Sequence, residues 1–123
     1  MGAAEKLGPE YNEVDLNQQK FATVKALGAD DPDFLVELYD IFKQRVPELL
    51  DKMESSMNQG DDSQLEKAAH ALKGTSGNIG AEKMMKICEF IECSARNEKR
   101  SNFQEYLPVL KESFQKVCSL LQP

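Results

Sequence analysis

Apolar residues recur every three or four positions along most of the chain, and no segment alternates with the two-residue period of a strand. Over residues 14–27, Leu16, Phe21, Val24 and Leu27 describe a short helix that Gly28 closes. Asp31-Pro32-Asp33 then marks a strong helix start. Asp31 can cap, Pro32 suits the first turn, and Asp33 complements the positive helix end. The stripe Leu35, Leu38, Phe42, Val46, Leu49, Met53 and Met57 follows, and Asn58-Gln59-Gly60 ends it. Pro47 is expected to kink this helix, because it removes a backbone donor. Asp61 or Asp62 can cap a third helix with the stripe Leu65, Ala69, Leu72, Ser76 and Ile79. Gly80 breaks the chain before a fourth, with Met84, Ile87, Cys88, Ile91 and Ala95. A polar turn at residues 97–100 and a cap at Ser101 or Asn102 lead into a fifth. Its stripe is Phe103, Leu107, Leu110, Phe114, Val117 and Leu121, with Pro108 as a possible bend.

This pattern predicts an all-α chain: an antiparallel up-and-down four-helix bundle with a short additional N-terminal helix. Residues 1–11 have no period and contain Gly2, Gly8 and Pro9, so they read as a flexible tail. Residues 12–123 read as one bundle domain. The length of 123 residues allows a real core without disulfides or metals.

Charge narrows the partners. A formal net charge of −6 disfavours phosphate backbones, so nucleic acid is not an expected partner. No apolar stretch has transmembrane length, and residues 1–13 lack a signal-peptide core, so no membrane role is expected. The expected location is the cytoplasm, with nuclear entry open to a eukaryotic protein. Cys88, Cys93 and Cys118 form no Cys-x-x-Cys pair and read as free thiols. A single histidine gives zinc too few ligands.

That histidine, His70, faces away from the third helix's apolar stripe. With His70 at zero, the stripe falls between roughly 180° and 260° at 100° per residue. Glu66, Lys67, Lys73, Gly74 and Gly77 lie within about 60° of His70. Gly74 and Gly77 each cost a helix about 1 kcal/mol relative to Ala. Bare backbone beside His70 gives another surface room to approach the imidazole; close packing against a neighbouring helix or early fraying is the weaker reading, because both glycines lie on the His70 side. Lys73, one turn on, can reach a phosphate on the ring, or can simply be a solvated charge. A neutral imidazole nitrogen is a competent nucleophile near neutral pH.

The segment His70, Leu72, Lys73, Gly74, Thr75, Ser76, Ile79 and Gly80 resembles, in register, the signature of histidine-containing phosphotransfer (HPt) domains. The similarity extends upstream through Asp31-Pro32-Asp33-Phe34-Leu35 to Phe42, and downstream through Gly80-Ala81-Glu82-Lys83 and Cys88-Glu89. The resemblance implies a phosphoryl group carried on His70, taken from the Asp of one receiver domain and passed to the Asp of another. The implied partners are response-regulator receiver domains and a hybrid histidine kinase. The magnesium would belong to the receiver, and this chain would need no cofactor. The resemblance also implies that Lys73 assists the phosphohistidine and that Gly74 gives the receiver room. Arg96 matches a basic residue of some members. Glu92 stands where many members carry Gln. Its role would be lost, or it would orient neutral His70 through a hydrogen bond. Gly77, Glu66, Lys67 and Ser76 complete the expected docking surface, and a monomer is expected.

The main alternative is a bundle that binds receivers and transfers nothing. A cysteine phosphatase fails on spacing, because six residues after Cys88 and Cys93 stand Ser94 and Lys99, not Arg. Residues 74–80 are not followed by the Gly-Lys-Ser/Thr of a nucleotide loop. No autonomous kinase or ATP-binding site is expected in a chain of this length. Met53, Met57, Met84 and Met85, at helical spacing, fit a core better than a peptide groove.

Overall fold

A computed structural model describes residues 14–97 and 103–121. The expected tail at residues 1–11, most of the turn at 97–100 and the caps Ser101 and Asn102 lie outside the described residues. We number the helices α1 (Gln18–Leu27), α2 (Pro32–Gln59), α3 (Asp62–Gly77), α4 (Glu82–Arg96) and α5 (Tyr106–Leu120). A 3₁₀ turn, Phe103–Glu105, leads into α5. The fold is an antiparallel four-helix bundle of α2 to α5, and α3 packs most extensively against α4 and α2.

Local chemistry sets the helix starts. The Asn17, Asp31 and Asp61 side chains accept from the backbone N–H of Lys20, Phe34 and Gln64 at 3.0, 3.2 and 3.1 Å. Each cap satisfies a donor that the first turn leaves orphaned. α2 ends at Gly60, whose φ of 68° is a left-handed conformation that glycine adopts without strain. α2 runs as one helix through Pro47, which is exposed. Pro108 occupies the first turn of α5, where its missing N–H has no helical partner to lose.

The N-terminal segment ties one end of the bundle together. The Asn17 N–H donates to the Gly80 carbonyl at 2.7 Å, and the Lys83 N–H to the Val14 carbonyl at 2.9 Å. Gly80 has a φ of 85°, and a Cβ there would lie 3.0 Å from Lys20 Cβ. Both facts call for glycine at this crossing. Ser113 Oγ donates to Asp15 at 2.6 Å, which links the same segment to α5.

The core follows the apolar stripes. Phe42, Leu49, Met53, Leu65, Leu72, Met84, Ile87, Ile91 and Leu110 are almost fully buried. Each stabilises the fold by about 1.5–3 kcal/mol through removal from water. Leu72→Ala would cost about 2–5 kcal/mol. The methionines Met53, Met57 and Met84 are core residues.

Some stripe positions differ from expectation. Leu27 is exposed, because α1 ends there and turns it outward. Leu35, Leu38 and Phe114 are half-buried at the margin of the core. α3 stops at Gly77 instead of reaching Ile79, which is buried in the turn beyond. Among the described residues the three cysteines are free thiols, and no helix is long and apolar enough to cross a membrane.

Candidate functional site

α3 is anchored by buried Leu65, Ala68, Ala69 and Leu72, which leaves its other face outward. His70 lies on that outer face, with 69 % of its side chain exposed. α4 lies alongside and presents Glu92, which is only 3 % exposed. An isolated buried carboxylate is costly unless paired and hydrogen-bonded. Glu92 has three such partners. Its Oε2 lies 2.6 Å from His70 Nδ1 and accepts from Arg96 Nη2 at 3.0 Å. Its Oε1 accepts from Lys73 Nζ at 2.6 Å. Arg96 Nε donates in turn to Glu66 Oε2 at 2.8 Å.

These contacts fix protonation. Burial pushes the Glu92 carboxyl up, but hydrogen bonds from Lys73 and His70 and their charges outweigh it, holding it below its ordinary value. The hydrogen bond to Glu92 is the main cause that raises the Lys73 ammonium above its ordinary value. An ionised carboxylate only accepts, so the proton of a neutral imidazole belongs on Nδ1. The lone pair is then on Nε2, which makes no hydrogen bond among the described residues.

The remaining expected residues separate into two groups. A Cβ at Gly74 would meet nothing within 4 Å, so the surface beside His70 is open. Glu66, Lys67, His70, Glu92 and Arg96 line one groove of about 540 Å³. Two residues do not belong to this surface. Gly77 faces α4: a Cβ there would lie 3.2 Å from Met85 Sδ, so the bare backbone serves helix packing. Ser76 is fully buried and its Oγ has no partner among the described residues, so it cannot take part in docking. It was already part of the apolar stripe, and that assignment holds.

Sequence reasoning gave Lys73 to a phosphate and left Glu92 undecided. The structure joins them, together with Arg96. One signal was available: Glu92 and Arg96 stand four residues apart on one helix, a spacing that favours ion pairs. The Lys73–Glu92 contact crosses between helices and had no such signal. Among the described residues no three His, Cys, Asp or Glu side chains converge as a metal site would require.

Comparison with known proteins gives a consistent picture. The family model described as "Hpt domain" matches residues 37–119. Histidine-containing phosphotransfer protein 5 of Arabidopsis thaliana is 29 % identical over 87 residues, which is 68 % of this chain. The match spans 55 % of that relative's length, little more than half. The crystal structure of histidine-containing phosphotransfer protein B from Pseudomonas aeruginosa PAO1 superposes with a TM-score of 0.77 and 26 % identity. That superposition covers 87 % of this chain and 90 % of the other.

Proposed function

Because this chain belongs to the Hpt domain family, we propose that it relays a phosphoryl group through His70 in a His-Asp-His-Asp sequence. One receiver domain supplies the group as an aspartyl phosphate, and the Asp of a second receives it. The observation that carries this reading is the 2.6 Å contact of an exposed His70 ring, through Nδ1, with a buried carboxylate. It supports a fixed tautomer with a free nucleophilic nitrogen on the outer face.

In the transfer step the Nε2 lone pair attacks phosphorus. A P–N bond forms, the P–O bond to the aspartyl oxygen breaks, and its electrons leave with the Asp carboxylate. The ring keeps its Nδ1 proton and becomes positively charged. Glu92, already ionised beside that proton, stabilises the charge as it develops, by the logic of the carboxylate behind a catalytic histidine. The reverse attack by a second receiver's carboxylate returns the ring to neutrality. Lys73 Nζ and Arg96 Nη2 bond Glu92 in the resting protein, and both stand ready to share their donors with the phosphoryl oxygens. Magnesium, on this reading, is supplied by the receiver.

The test is a three-component transfer assay. A phosphorylated receiver domain is mixed with this chain, followed by a second, unphosphorylated receiver. Label passing first to this chain and then to the second receiver is expected. Binding of both receivers with no label on this chain would instead make it a non-transferring receiver-binding bundle.

A further inference from the structure

α3 and α4 run antiparallel, and their contacts repeat turn by turn along the seam. Gly77 faces Met85, His70 faces Glu92, and Glu66 faces Arg96. The last two rungs stand four residues apart on each helix, so they are neighbours. Arg96 joins them: its Nε donates to Glu66 Oε2 at 2.8 Å and its Nη2 to Glu92 Oε2 at 3.0 Å. That Glu92 oxygen is the one 2.6 Å from His70 Nδ1. Arg96 needs such a hold. It is the last residue of α4, and 56 % of its side chain is exposed. A long exposed side chain keeps many rotamers, and one i,i+4 pair with Glu92 holds it only weakly. Glu66 reaches it from the other helix and fixes Nε, the root of the planar guanidinium. The hydrogen bond from Arg96 to Glu66, and then the Glu66 charge, are the leading causes that raise the guanidinium above its ordinary value. Glu66 is poorly suited to meet a phosphoryl donor directly. A free carboxylate repels an anionic donor, and Glu66 is two-thirds covered and already neutralised by Arg96.

We propose that Glu66 is a positioning residue for the transfer, holding Arg96 where its guanidinium meets the phosphoryl group on His70. The proposal rests on the phosphotransfer reading, and it takes Glu66 out of the receiver-docking surface. During transfer Nη2 turns from Glu92 to a phosphoryl oxygen while Nε stays on Glu66. The cation then pivots about a fixed point instead of leaving the site. Glu66, His70, Glu92 and Arg96 line one groove, so the pivot keeps the guanidinium beside the ring. A cation placed in advance beside the group being transferred lowers the barrier without reorganisation at the moment of reaction.

The test compares wild type, Glu66→Ala, Arg96→Ala and the double variant. Labelling of His70 is followed from two donors. One is a phosphorylated receiver domain. The other is phosphoramidate, which releases ammonia as it gives up its phosphoryl group and is too small to need a docking surface. Glu66→Ala should slow labelling from both donors by about tenfold, within the roughly 10²-fold that a misplaced group can cost. With the receiver as donor, the maximal rate should fall while the half-saturating concentration stays unchanged. In the Arg96→Ala background, Glu66→Ala should cause no further loss, because a residue that acts only through Arg96 has nothing left to position. Equal rates in wild type and Glu66→Ala would overturn the proposal. So would slowing confined to the receiver with a raised half-saturating concentration, which would return Glu66 to docking. Losses that simply add in the double variant would overturn it too. Label on wild type from phosphoramidate but from no receiver would sink the transfer reading and leave Glu66 to be judged on the phosphoramidate rates. No label on wild type from either donor would sink both.

Discussion

Glu92 Oε2 lies 2.6 Å from His70 Nδ1, a buried carboxylate against the inner nitrogen of an exposed imidazole. The contact decides which nitrogen can react, and it makes Glu92 a positioning residue. Glu92→Ala should slow phosphorylation of His70 by about 10²-fold, the lower range for a positioned proton-handling group. Glu92→Gln can still accept from Nδ1 but lacks the charge that stabilises the developing imidazolium, so its rate should fall between those of wild type and Glu92→Ala. Transfer kinetics with one receiver domain check both variants. An unaltered rate in Glu92→Ala would remove the residue from the site.

The same carboxylate links stability to pH. Its folded value is depressed, so its contribution is fully present above the unfolded value, ordinarily 4.5. The contribution is lost as pH falls through the lower, folded value. Urea midpoints measured from neutral to strongly acid pH should therefore fall less steeply in Glu92→Gln than in wild type. Identical acid limbs would show that Glu92 is not held ionised.

Gly74 and Gly77 should respond oppositely to substitution. Gly74→Gln meets open space, and removing a helical glycine is worth up to about 1 kcal/mol. It should raise the melting temperature while obstructing receiver-driven transfer. Gly77→Leu must displace Met85, so it should destabilise the bundle. Thermal melts and transfer rates on the two variants separate the roles.

Lys73→Ala removes a donor from Glu92 Oε1 and a cation from beside the ring. It should shorten the phosphohistidine lifetime or slow transfer, with the bundle intact. A lifetime and a rate both equal to wild type would leave Lys73 as a support for Glu92 alone.

Much of the fold was legible because its signals are local. Asp31 and Asp61 cap as expected, and the stripe Leu65, Ala69, Leu72 and Ser76 is the buried face of α3. The outward direction of His70 followed from that stripe. Helix ends were less legible: Leu27 fits the period of α1, but the last turn carries it into water. At the site, angular position on α3 could not tell Gly74 from Gly77. The difference lies in α4, which sets Met85 against one and leaves the other open. Glu92 was the hardest to read. Its meaning depends on Lys73 and His70 of another helix, and sequence spacing within α4 carries no information about them.

The most direct test follows label on His70 itself. Wild type and His70→Gln are incubated with a phosphorylated receiver domain, and the label on each is challenged with acid and alkali. The account predicts acid-labile, alkali-stable label on the wild type. It predicts none on His70→Gln, which should keep full helicity because the residue faces water. Label of that kind persisting on His70→Gln, or absent from wild type across the host's receiver domains, would contradict it.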